Sequence, residues 1–241
     1  RRISQFRSII ANSGKVCAHL LLGRLLKCYS SQPSGRNPKV LIHTFVDDEC
    51  LSEDGQFNDR YFPGLVAWLE SRGMDAYMLP VLVRGDRSFV SIWRWLSNSS
   101  QRFINPYSHY SVSDYLSAVR TAWHSSKVPK ERVHLNNLDL TKIFEEERRR
   151  VAFNTLHQIL YMELPKRLSS AGFRFNRCIT EYEGMTLEKM LILGFRRYSP
   201  ETVLIGFQHN ALAPMNLCNF VTSEEAEFAP LPDRVICNGK F

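Results

Sequence analysis

The chain has 241 residues, 44% of them hydrophobic and 12% aromatic, which excludes a disordered protein and leaves room for a large core in one domain, or for one domain with an appendage. Its 31 Lys and Arg against 24 Asp and Glu give a formal charge of +7, which suits a polyanion, an anionic membrane surface or a phosphorylated substrate without choosing among them. The six cysteines (Cys17, Cys28, Cys50, Cys178, Cys218, Cys237) form no C-x-x-C pair and no zinc-finger spacing, so they read as small buried thiols of a reducing cytoplasm.

No apolar run reaches the roughly 20 residues of a membrane span. In residues 1–29, Ile3, Phe6, Ile10, Cys17 and Leu21 follow helical spacing, while Arg1, Arg2, Arg7, Lys15, Arg24 and Lys27 supply charge. This basic amphipathic segment reads either as a membrane-surface helix or as a helix laid on its own domain or on a partner domain, with Gly14 interrupting it. Ser30 to Gly35 is the clearest linker, giving a helix and linker over 1–32 and a globular domain over 33–241.

Lys39 to Val46 is an unbroken apolar run expected to be a buried strand. A helix over Tyr61 to Arg72, closed by Gly73, and a strand over Ala76 to Val83 complete a β-α-β unit. Helices follow over Ser88 to Leu96 and Ser113 to His124, with a longer one from Thr141 to about Ser169 despite Pro165. A second regular series comes next: strand Arg177 to Tyr182, helix Thr186 to Tyr198, strand Thr202 to Phe207 and strand Arg234 to Cys237. Strands alternating with helices of this length point to an α/β fold, a Rossmann-like parallel sheet with helices on both faces.

Ligands of such sheets bind outside the carboxyl ends of the strands. That rule singles out four polar loops: Asp47-Asp48-Glu49, Glu181-Tyr182-Glu183-Gly184, Gln208-His209-Asn210 and Asn238-Gly239. His209 brings an imidazole to the sheet edge, as a general base or as a holder of phosphate or sugar, with Gln208 and Asn210 beside it. Glu181 and Glu183 flank Tyr182 and point the same way if strand geometry persists, whereas a kink at Gly184 aims only one of them into the cleft. Paired carboxylates divide acid and base roles, and Glu183 also suits the positive end of the helix that follows.

Asp47, Asp48 and Glu49 carry hard oxygen ligands but too few for a metal site, so no metal is expected and the segment reads as a solvated acidic loop. Asn58, Asp59 and Arg60 are placed to contact an acceptor, and His43 reads as a hydrogen-bonded core residue. The Glu145 to Arg150 run reads as a solvated helix face. Trp93, Trp95, Phe103, Tyr107 and Tyr110 among Arg87, Arg94 and Arg102 fit base or sugar stacking and fit a core helix with its loop equally well. The absence of G-x-G-x-x-G, of a P-loop and of a G-x-S-x-G elbow removes the commonest alternatives for a parallel α/β domain.

Glu181 to Met190, Gly206-Phe207-Gln208-His209-Asn210 and Pro230-Leu231-Pro232-Asp233-Arg234-Val235-Ile236-Cys237-Asn238-Gly239, in this order, resemble elements of GT-B-type bacterial surface-polysaccharide glycosyltransferases. That group includes capsule and lipopolysaccharide transferases and the CDP-glycerol glycerophosphotransferases. The layout extends over about residues 38 to 241, the specific motifs over the last 60 or so, and Asn210 stands where the commoner form has glycine. The resemblance implies the N-terminal, acceptor-side half of a GT-B enzyme, its nucleotide-binding domain lying outside this chain. It implies a nucleotide-sugar donor as substrate and no separate cofactor: CMP-Kdo, or a UDP-, GDP- or CDP-linked sugar. The expected partners are a glycan or lipid-linked glycan acceptor and an anionic membrane, with no nucleic acid. The expected location is the cytoplasm at the inner face of the bacterial inner membrane. The expected catalytic residues are Glu183, His209 and Glu181, and the expected substrate contacts are Gln208, Asn210, Asp47, Asp48, Asn58 and Asn238. A non-catalytic basic docking module and a sugar-nucleotide epimerase-like enzyme are the alternatives.

Overall fold

The computed structural model describes residues 14, 18, 21–25, 31–33, 35, 37–52, 56–83, 88–125, 127, 132–209, 221–228 and 230–237. Its centre is a sheet of five parallel strands: β1 (Lys39–Val46), β2 (Asp75–Leu82), β5 (Phe175–Glu181), β6 (Val203–Gln208) and β7 (Arg234–Cys237), in the order β2-β1-β5-β6-β7. A small antiparallel hairpin, β3 (His134–Leu135) with β4 (Leu138–Asp139), stands apart. Among the described residues from 31 on, the helices are α1 (Leu65–Ser71), α2 (Phe89–Asn98), α3 (Val112–Ser125), α4 (Thr141–Asn154), α5 (Leu156–Leu160), α6 (Leu164–Ser170), α7 (Thr186–Tyr198) and α8 (Ser223–Phe228).

The sheet is covered on both faces. Val40, Ile42, Ala76 and Met78 pack with Leu69 of α1 and Trp93 and Leu96 of α2. Leu41, Leu79, Cys178 and Leu204 pack on the other face with Ala118 of α3, Leu160 of α5, Leu168 of α6 and Leu191 and Phe195 of α7. Each such fully buried Leu or Phe contributes about 1.5–3 kcal/mol. Pro80, which lacks an N–H, lies on β2 at the end of the strand order.

This strand order is that of a doubly wound sheet whose direction of growth reverses between β1 and β5, and such a reversal opens a crevice at the strands' carboxyl ends. The Rossmann-like parallel sheet expected from the sequence is therefore present, with β1 and β7 at the expected bounds and the ends of β2, β5 and β6 moved by one or two residues.

Two helices differ more. The expected helix from Tyr61 starts at Leu65, because the Asp59 carboxylate accepts the Tyr61 and Phe62 N–H groups (2.9 and 3.0 Å) and holds a turn there. The expected single helix from Thr141 to Ser169 is three, α4, α5 and α6. Pro165 sits in the first turn of α6, where its missing N–H costs nothing.

The segment read as a linker touches the domain: the Ser31 N–H donates to the Phe103 carbonyl at 2.7 Å and the Tyr77 hydroxyl to the Gln32 carbonyl at 3.4 Å. Of the basic segment, residues 21–25 are helical, with Gly23 buried against Tyr107 and Leu21 and Leu25 exposed. Among the described residues no helix is long and apolar enough to cross a membrane.

Candidate active site

Neighbouring parallel strands present side chains of matched register on one face, and this brings the site together. Glu181, the last residue of β5, pairs with Phe207 on β6; His209 follows Phe207 by two residues and returns to the same face. The imidazole Nδ1 lies 2.7 Å from Glu181 Oε1 and 3.9 Å from Glu183 Oε1. The His209 ring stacks on Phe207 at 6.4 Å between centroids and meets Tyr61 edge-on at 5.1 Å. Aromatic walls thus fix the ring on two sides, while the Glu181 side chain is only 2% exposed against 26% for His209 and 21% for Glu183.

Two glycines make the arrangement possible. Gly206 lets Tyr182 lie across β6, since a Cβ there would stand 2.8 Å from the Tyr182 Cβ. Gly184, at φ 73°, turns the chain after Glu183 in a conformation that other residues resist. The turn is then held by Glu188 of α7, whose Oε2 accepts the Glu183 N–H at 2.9 Å and the Met185 N–H at 3.1 Å. Glu188, not Glu183, is the acidic residue that caps this helix, and Glu183 remains at the rim of the crevice.

The electrostatics follow from burying carboxylates together. Burial, reinforced by the charges of Glu183, Glu188 and Asp59, pushes Glu181 up to about 8. Burial likewise pushes Glu188 up to about 7, against the pull of the N–H groups it accepts. Asp59 is raised by burial, although it takes the Phe62 and Tyr61 N–H groups and the Thr44 hydroxyl. Across the sheet, His43 is buried with Nδ1 2.8 Å from the Thr180 hydroxyl, the core histidine read from the sequence, and burial lowers it to about 3.

The other expected contacts scatter. Asp47 caps the short 3₁₀ turn Asp48–Cys50 through the Glu49 and Cys50 N–H groups and pairs with Arg60 at 2.9 Å. Its pKa is lowered: burial pushes it up, but these N–H groups and the Arg60 charge outweigh that. Asp48 is half-buried within that turn. Gln208 ends β6 one residue before His209 and accepts from the Cys237 thiol at 3.6 Å. Asn58 is exposed and lines, with Asp59, Phe62, Val66, Glu70 and Gln101, a groove of about 790 Å³ beside α1. Asn210 and Asn238 lie outside the described residues.

Of the two carboxylates expected to be catalytic, Glu181 lies against the imidazole and Glu183 stands farther off. Tyr61 and Glu188 were not among the expected site residues. The signal for Glu188 was present as an acidic residue three positions after Met185, at the start of a helix.

A carboxylate within ion-pair distance of a partly exposed imidazole is a pairing of groups that acid-base chemistry on a hydroxyl can use. Comparison of the chain with protein-family models, with curated proteins and with solved structures finds no match.

Proposed function

We propose that this chain is the acceptor-side part of an enzyme that transfers a glycosyl group from a nucleotide-activated sugar to a hydroxyl of a bacterial cell-surface glycan, with the Glu181–His209 pair receiving the acceptor's proton. The observation that carries the reading is the 2.7 Å contact between a buried carboxylate and a partly open imidazole at the carboxyl end of a parallel sheet. In this reading the neutral imidazole takes the proton at Nε2, and Glu181, within ion-pair distance of Nδ1, is its counter-charge. The acceptor O–H gives its proton to Nε2 as its oxygen bonds to the anomeric carbon. The bond from that carbon to the phosphate oxygen breaks, and the nucleotide leaves with the electron pair. Glu181 stabilises the imidazolium formed.

The groove along α1, with Asn58 and Gln101 in its wall, is of a size to take a sugar ring of the acceptor. Its hydrogen-bonding groups suit hydroxyls. The net charge of +7 favours a phosphorylated donor, CMP-Kdo or a UDP-, GDP- or CDP-linked sugar, and in this reading the enzyme works in the cytoplasm against the anionic inner membrane.

The test is transfer by His209→Gln and Glu181→Gln. We expect His209→Gln to lower kcat by about 10²–10⁴-fold, the usual contribution of a positioned acid-base group. Near-normal transfer by both variants would sink the reading, and donor turnover without acceptor would replace it with epimerase-like chemistry.

A further inference from the structure

Asp47, Asp48 and Glu49 offer too few ligands for a metal; candidate ligands come together instead from the end of β5, the turn after it and the residue after β6. One ligand atom from each of Glu181, Glu183 and His209 lies within 4.8 Å of the others, close enough to share one ion. A second observation is independent of that spacing: Glu181 is buried, and its Oε2 has no hydrogen-bond partner among the described residues. A buried carboxyl oxygen without a donor is costly to ionise, and a bound cation removes that cost. The charged groups that act on Glu181 are the carboxylates of Glu183, Glu188 and Asp59, so the local field attracts a positive ion.

The donor set selects among cations. Two carboxylates favour any hard divalent ion, but an imidazole nitrogen favours the first transition row over Mg²⁺ and Ca²⁺. The partial exposure of His209 and Glu183 leaves one side open for water to complete the coordination.

We propose that Glu181, Glu183 and His209 form a binding site for a first-row divalent cation such as Zn²⁺ or Mn²⁺, and that its occupation silences transfer. An ion on Nδ1 leaves Nε2 as an N–H, unable to accept the acceptor's proton, and takes the Glu181 oxygen that would stabilise the imidazolium. The silencing rests on the transfer reading; the binding does not.

Binding is tested on the full chain by titration with Co²⁺, followed by its visible ligand-field absorption and by displacement with Zn²⁺. One Co²⁺ per chain is expected. His209→Gln and the rim variant Glu183→Gln should weaken it by about a hundredfold, the upper end of what even an outer-sphere change costs a metal site. Asp47→Asn should bind as the wild type does. Absence of a protein-bound Co²⁺ spectrum, or equal binding by His209→Gln, overturns the site. Transfer measured in EDTA and in saturating Zn²⁺ separates the two ideas. Loss with Zn²⁺ supports silencing and equal rates overturn it, while a wild type inactive in EDTA counts against the transfer reading and leaves the Co²⁺ result standing.

Discussion

His43 illustrates what a single residue can and cannot disclose. Its position inside an apolar run marked it as a core residue, and the structure buries it with one nitrogen on Thr180. The cost of that burial was not legible, because it depends on what closes over the ring from other elements. Burial lowers the folded-state value from 6.5 to about 3, so the unfolded chain binds a proton over that interval and the folded chain does not. Stability is therefore complete above about pH 6.5 and declines as pH falls toward 3, by up to about 1.4 kcal/mol per pH unit. His43→Asn, which keeps a partner for Thr180 but cannot titrate, should flatten denaturation midpoints across that window; an unchanged slope would exclude His43 as the source. Glu181 and Glu183 pose the same difficulty. Alternation showed that they share a face, but which of them meets His209 depends on the bend at Gly184 and on the Glu188 side chain that holds it.

At the level of elements, the apolar runs located every strand of the large sheet; for β1 and β2, buried on both faces, little else is open to such a run. Ends were less legible where side chains compete with the helix for backbone N–H groups, as Asp59 does before α1. The hairpin β3–β4 and the helix α8, short and largely polar, were not read at all. Contacts between elements lay further out of reach. The buried Asp114 of α3 receives two bonds from Arg167 of α6, Nε to Oδ2 at 2.7 Å and Nη2 to Oδ1 at 2.6 Å, and neither residue is conspicuous in the sequence. Burial would raise Asp114, but Arg167 and the Ser111 donors outweigh it and the carboxyl is held low. The pair thus stabilises above the ordinary carboxylate range, and that contribution is lost as pH falls through it. Arg167→Met leaves a buried charge unpaired and should cost about 3 kcal/mol in thermal or denaturant unfolding, with most of it recovered by adding Asp114→Leu. A cost near zero would mean that the clamp contributes nothing.

For the molecule as a whole, alternating strands and helices disclosed a parallel sheet but not its order, since the neighbours of a strand are chosen by the crossovers and not by its own residues. That order places β1 inside, with residues Val40 to Thr44 buried, and β7 at one end with Arg234, Val235 and Ile236 exposed. Hydrogen exchange should follow it: β1 amides should open only with global unfolding and β7 amides well before. Equal protection of the two strands would contradict the layering. The shared face of Glu181 and His209 has a further consequence, for tolerance to changes in chain length. Because side chains alternate along β6, one residue inserted within Val203–Gln208, with the upstream pairing kept, would turn His209 to the opposite face and put Gln208 against Glu181. The fold would survive with an amide in place of its imidazole, so the site is more fragile to insertion in this strand than the sheet that carries it.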